Sequence, residues 1–321
     1  MNITFKSLVV CAMACVSCQN EISNIVDEDC FAEVSIRANI SSSSSVNTRY
    51  GGDNLSSIAF TAGDKIGVFI QSGDVNPLSC WILSNNSSDW TSSAPVYWES
   101  ENQSYMFRAF YPYVDGVSDS ESVLMPSLLE QSGKLADMGA LDFMTATKAL
   151  TYAETPNGVV ELTFQHQLCL FALTLSAKYD LADAVINQIL LSGEGIAEQS
   201  TFSFSDSTLS PTADPKTGDD TGNQVVSNLN LSLLSEDVTL YYIVNPLEEK
   251  TIGLTIKYTK GSSTYTAMTS LTPQTLNPST QYDSTISINN NLISVGPISI
   301  ASWGDAVNLG NFTISSEKDS E

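Results

Sequence analysis

Residues 159–177 read VVELTFQHQLCLFALTLSA. Side chains along an extended strand alternate between two faces. Val160, Leu162, Phe164, His166 and Leu168 therefore share one face, with polar residues between them. From Leu168 onward both faces are apolar, as in a strand covered on both sides or shifted by a bulge. Helical periodicity is scarce along the chain, whereas short strand-like runs recur. FAEVSIRANI (residues 31–40) alternates, and IGVFIQ (66–71) reads as a buried strand entered from the turn AGDK. PVYWES and SYMFRAFYPY read as two aromatic strands of a hairpin joined by SENQ. QILLSG, STFSFS, VTLYYIVNP, TIGLTIKYT, STYTAMTSL, STISINN and VGPISIASW follow. DLADAVIN (180–187) reads as a short helix or a connection. Many short strands split by turns predict an all-β protein made of β-sandwiches. With 321 residues the chain has room for two domains. The boundary is expected just after the long strand, near Tyr179, giving domains over 50–179 and 180–321.

The chain begins with one basic residue, Lys6, then an apolar run over residues 8–16, then the small Ser17 and Cys18. A membrane-spanning helix needs roughly 20 apolar residues, so this order reads as a cleaved secretory signal. VSC resembles a lipobox, in which diacylglycerol is attached to the cysteine and the chain is cut before it. The expectation is a lipoprotein signal peptide over 1–17 and lipidation at Cys18. Cys15, preceded by Ala14, is a rival site, and an ordinary secretory signal is the alternative. QNE after Cys18 resembles the short export signal that carries lipoproteins of Bacteroides-type bacteria to the outer face of the outer membrane.

A net charge of −23 repels phosphate backbones and anionic lipid surfaces. Nucleic acid is not an expected partner, and membrane attachment has to come through the lipid. Cys30, Cys80 and Cys169 remain after the signal and the lipid site. Cys169, in LCLFALTL, reads as a buried thiol. A Cys30–Cys80 disulfide stays open.

Little in the chain carries chemistry. His166, the one histidine, sits mid-strand between Phe164 and Leu168 and reads as a packed, hydrogen-bonded core residue. HExxH, G-x-S-x-G and a phosphate loop are absent. The acidic loop around 214–220 departs from the ligand order of an EF-hand at Pro215, Lys216 and Thr217. No enzyme, metal or cofactor is expected. Trp81, Trp90, Trp98 and Trp303 lie in or beside strands and read as core, with a carbohydrate platform as the rival. The tripeptide DST, at Asp206 and Asp283, matches a short O-glycosylation pattern of Bacteroides-type bacteria.

The order of segments is more specific than any one of them. Thr48-Arg49 follows a first strand and a serine-rich loop. Then come FTAGDKIGVFI, VYWESENQSYMFRAFYPY, LDFMTAT, VVELTFQHQLCLFALTL, TLYYIVNP and ISIASW. The set GDKIGVF, FYP, F-x-H-x-L and a final I-x-x-W resembles the fimbrillin family, the pilus subunits of Bacteroides-type bacteria. The resemblance implies two transthyretin-like β-sandwich domains in tandem. It also implies export as a lipoprotein to the outer membrane and cell surface, and assembly into fimbriae with other fimbrillin subunits. In that family a trypsin-like protease cuts after an arginine in the loop behind the first strand. The lipid and the strand leave together, and a neighbour's strand fills the groove by β-strand addition.

Carried onto this chain, residues 18–49 are the lipidated segment with the first strand, and the cut follows Arg49, before Tyr50. Arg49 is one of three arginines; Arg37 lies inside the strand and Arg108 in an aromatic strand. The donor candidate is 306–315, where Val307 and Leu309 alternate and Phe312 and Ile314 resume after a break. Folding back on its own domain is the other reading of this tail. Two functions compete: a fimbrial structural, anchor or tip subunit acting in adhesion, and a cell-surface glycan-binding lipoprotein. A glycan binder exposes aromatics on one surface; a pilin buries Trp98, Tyr111 and Trp303.

Overall fold

The computed structural model describes residues 32–41, 59–73, 75–84, 89–92, 94–212, 221–233, 236–296 and 298–303. These residues are nearly all strand and turn, as expected. In the first half lie β1 (Ser35–Ile40), β2 (Lys65–Gln71), β3 (Leu78–Leu83), β4 (Trp90–Ser92), β5 (Tyr105–Tyr111), β6 (Val123–Leu124), β7 (Met144–Leu150) and β8 (Val159–His166). In the second half lie β9 (Cys169–Leu175), β10 (Val185–Glu194), β11 (Ser200–Ser203), β12 (Thr208–Pro211), β13 (Thr221–Ser232), β14 (Val238–Val244), β15 (Leu247–Lys260), β16 (Ser263–Leu276), β17 (Thr280–Asn289), β18 (Leu292–Val295) and β19 (Ser299–Ser302). Among the described residues no helix is long and apolar enough to cross a membrane.

The first assembly closes into a barrel in the order β1–β4–β3–β2–β5–β7–β8. Closure comes from β1, which bonds to β8 on one side and to β4 on the other. Inside lie Trp81, Trp90, Trp98, Phe107 and Phe164. The turn AGDK enters β2 as expected: the Asp64 carboxylate accepts the Thr61 N–H at 2.6 Å.

The second assembly follows the order β13–β10–β15–β16–β18–β17–β9–β14, with β19 on β17. Its two halves meet at a single register pair, Met268↔Leu292. There the sheet folds over, and two layers enclose a core that includes Ile189, Leu254 and Ile256 from one side and Phe171, Tyr242 and Ile286 from the other. The edge of β14 is covered by a loop. The Gln131 side chain exchanges two 2.8 Å hydrogen bonds with the Ile243 backbone, and Tyr241 N–H donates to Gly133 O at 2.9 Å. Covering an edge in this way removes a template for stray pairing.

A third core joins the assemblies. It contains Phe69 and Phe110 from the outer faces of β2 and β5, together with Phe143, Leu168, Leu170, Phe202, Ile243 and Trp303. This explains why IGVFI has no polar alternation: Ile66, Val68 and Ile70 face the barrel interior while Phe69 faces the third core.

Two expectations change. The single long strand over 159–177 is two strands, β8 in the barrel and β9 in the second sheet, with the passage at Gln167–Leu168. From Leu168 both faces are apolar because Leu168 and Leu170 enter the third core, while Cys169, Phe171, Leu173 and Leu175 enter the second. The sheet that β9 belongs to therefore begins before the boundary expected near Tyr179. The hairpin across SENQ is also absent. Both edges of β5 are occupied, by β2 and β7. Tyr97 instead bridges to Glu33, ahead of β1.

Candidate functional site

The side chains of β1 alternate. Val34 and Ile36 are 2% and 1% exposed, Ala38 and Ile40 are half-buried, and Ser35, Arg37 and Asn39 point to solvent. This pattern specifies the register, because a slip of one residue would turn every apolar side chain outward. β1 runs parallel to β8 through six register pairs, from Ser35↔Val159 to Ile40↔Phe164. Toward β4 it makes one, Ile36↔Trp90. Flanking backbone bonds extend the seat: Val34 N–H to Val96 O at 2.8 Å, Trp98 N–H to Ala32 O at 3.0 Å and Ser41 N–H to Phe164 O at 2.7 Å.

Beneath β1 lies an aromatic floor. Phe60 meets Trp90, Tyr111 and Phe164 edge-on, with centroids 5.1, 5.3 and 5.2 Å away. Such contacts add to area burial. The buried indole N–H groups of Trp90 and Trp98 find no acceptor among the described residues. The Arg37–Asp89 ion pair, at 3.8 Å between half-exposed side chains, adds little in water. Without β1, the barrel would expose one free edge of β8, the Val96–Trp98 backbone and this floor.

Cys18, Arg49 with Tyr50, and the donor candidates Val307, Leu309, Phe312 and Ile314 lie outside the described residues, as does Cys30. Arg108 is half-buried and donates to Gln71 Oε1 at 2.8 Å. Among the described residues Cys80 and Cys169 form no disulfide. Burial pushes the Cys169 thiol far up, and its Sγ donates to Asn277 O at 3.0 Å.

His166 is a packed core residue, as its position in the strand implies. It is 3% exposed, and its Nδ1 lies 2.9 and 2.8 Å from the two Asp142 carboxylate oxygens. Its ring stacks on Trp303 and its Nε2 has no partner among the described residues. The partner Asp142, fully buried, was not visible from spacing. Ser279 Oγ donates to the His166 backbone oxygen at 2.6 Å, not to the ring, so no nucleophile–base pair forms here. Among the described residues no group of three His, Cys, Asp or Glu side chains could hold a metal ion.

Trp98, Tyr111 and Trp303 are 1%, 7% and 3% exposed, and Trp81 and Trp90 are equally buried. The tryptophans form no carbohydrate platform.

A family model described as fimbrillin-like matches residues 48–303. Among solved structures, the chain is similar to a candidate cell adhesion protein from Bacteroides uniformis. The identity is 16% over 87% of this chain and 100% of that one, with a TM-score of 0.55. A candidate cell adhesion protein from Bacteroides ovatus gives 13% identity over 85% of this chain and 98% of that one, with a TM-score of 0.57. At such identities the likeness is one of fold. No curated protein is similar enough to count as a match.

Proposed function

Because this chain belongs to the fimbrillin-like family, we propose that it is a structural subunit, or an accessory anchor or tip component, of a cell-surface pilus that acts in adhesion. It is exported as a lipoprotein, with lipid on Cys18, to the outer membrane. It assembles with other fimbrillin subunits by donor-strand exchange. A cut after Arg49 releases β1 together with the lipid, and residues 306–315 of a neighbouring subunit enter the groove. The protein is structural rather than catalytic.

The observation that supports this reading most is the seating of β1. It has six register pairs on one side and one on the other, and it is the strand that closes the barrel. It joins the rest of the chain through residues 42–58, which contain Arg49. The family match begins at residue 48, beyond β1. A replacement strand needs an apolar side chain at every second position to meet the floor left by Val34 and Ile36. Val307 and Leu309, and then Phe312 and Ile314, supply that alternation.

Deletion of residues 306–321 tests the donor assignment. The truncated protein is expected to fold, to reach the cell surface and to fail to polymerise. Pili of normal length from the truncated protein would overturn it.

A further inference from the structure

We propose that the pole of the second assembly remote from the barrel holds a cleft for one neutral sugar ring, such as the exposed unit of a glycan. β9 starts at Cys169, next to the third core, and runs to Leu175, so the connection that follows lies at the far end. Three connections converge there: the 3-10 turn Tyr179–Leu181, the β15–β16 hairpin and the β17–β18 turn. They border an open cleft of about 270 Å³ lined by Asp180, Tyr258, Lys260, Tyr265, Asn290 and Asn291. Pockets for drug-sized ligands run from roughly 300 to 1,000 Å³, so this one suits a single ring.

The wall of the cleft is fixed by hydrogen bonds. Tyr258 is 2% exposed, and its ring stacks on Tyr265 with centroids 5.2 Å apart and planes 17° from parallel. Its hydroxyl donates to Asn291 Oδ1 at 2.9 Å, and the Asn291 N–H donates to Asp180 Oδ2 at 2.9 Å. Lys260 Nζ lies 3.4 and 3.5 Å from the backbone oxygens of Tyr179 and Asp180. Tyr265, 37% exposed, is thus held on a rigid support. Asn290 and Asn291 have φ of 52° and 60°. Glycine satisfies such a turn equally well, yet the chain places two amides at the rim. The Asn290 amide, Asn291 Nδ2 and the other oxygen of Asp180 bond to no protein group among the described residues.

A sugar ring combines a flat C–H face with a rim of hydroxyls. The face fits the exposed Tyr265 ring, and the hydroxyls fit paired amide and carboxylate groups that both donate and accept. The lining sets one cation, Lys260, already turned to two backbone oxygens, against one carboxylate, Asp180, in a chain of net charge −23, which disfavours a phosphate or other anion. One carboxylate is too few oxygen ligands for a divalent cation.

The intact protein purified from producing cells is tested by saturation-transfer NMR with methyl glycosides of glucose, galactose, mannose, fucose and N-acetylglucosamine. At least one glycoside is expected to receive saturation on its C–H face. The transfer should vanish in Tyr265→Ala and persist in Val75→Ala, which removes an exposed side chain of the barrel. If Tyr265→Ala fails to fold, Asn290→Gly decides, since it keeps the turn and removes the amide. Transfer with none of the five, or transfer that survives Tyr265→Ala or Asn290→Gly, overturns the proposal.

Discussion

The imidazole of His166 lies flat against the indole of Trp303, with ring centroids 4.3 Å apart and planes 3° from parallel. Asp142 holds the other side of the imidazole at Nδ1. Three segments far apart in sequence, LDFMTAT, F-x-H-x-L and I-x-x-W, therefore meet in one cluster at the passage from β8 to β9. Gly67 and Phe110 join two more. They are cross-strand partners, and a Cβ on Gly67 would sit 2.3 Å from the Phe110 ring. GDKIGVF and FYP thus make one steric unit. The ordered motifs are the contacts of the third core.

Removing the Asp142 carboxylate should leave a buried imidazole without its partner. Asp142→Ala is expected to cost about 3 kcal/mol, read from urea denaturation, whereas Asp142→Asn, which keeps a hydrogen-bonding group, should cost less. A loss under ~0.5 kcal/mol for Asp142→Ala would show that the pair does not hold the junction.

Gly67 is required for space, not for an unusual backbone angle. Gly67→Ala is expected to lose about 1–3 kcal/mol through overpacking. Phe110→Leu should relieve part of that strain, so the double variant should be less destabilised than the sum of the singles. Additive losses would separate the two residues.

β1 should be displaced by a charge at its most buried position. Ile36→Asp places an unpaired carboxylate beside its register partners Trp90 and Val160. Hydrogen exchange over residues 35–40 should accelerate sharply, while β9 and β14 stay protected. Unchanged protection of 35–40 would contradict the account of β1 as a separately seated strand.

Glu121 gives an acid dependence. Hydrogen bonds from Ser205, then Ser203, lower its carboxyl from 4.5 to about 2, against a smaller opposing effect of burial. The folded value lies below the unfolded one, so its contribution is complete above pH 4.5 and fades as pH falls toward 2. Thermal melts should show a shallower loss in that window for Glu121→Gln than for the native chain. Parallel curves would exclude a role for this carboxylate at the β6–β11 junction.

Local pattern made much of the architecture legible. Period-two alternation marks β1 and β8, and the uninterrupted IGVFI marks a strand covered on both faces. His166, Cys169 and the tryptophans read correctly as core. Long-range pairing left no such trace. The Glu33–Tyr97 bridge and the Asp142–His166 contact join segments whose own patterns fit other partners. The sequence does not mark β13, because apolar alternation over 221–232 is weak. The break at Gln167–Leu168 was hidden because two strands facing two different cores read as one continuous apolar run.

The most direct test is mass spectrometry of the protein taken from the assembled pilus fraction and, separately, from the membrane fraction of the same cells. A subunit that exchanges β1 for a neighbour's strand should begin at Tyr50 in pili and carry an acylated Cys18 in the membrane precursor. Pili containing the chain with β1 still attached through an uncut Arg49 would contradict the proposed assembly.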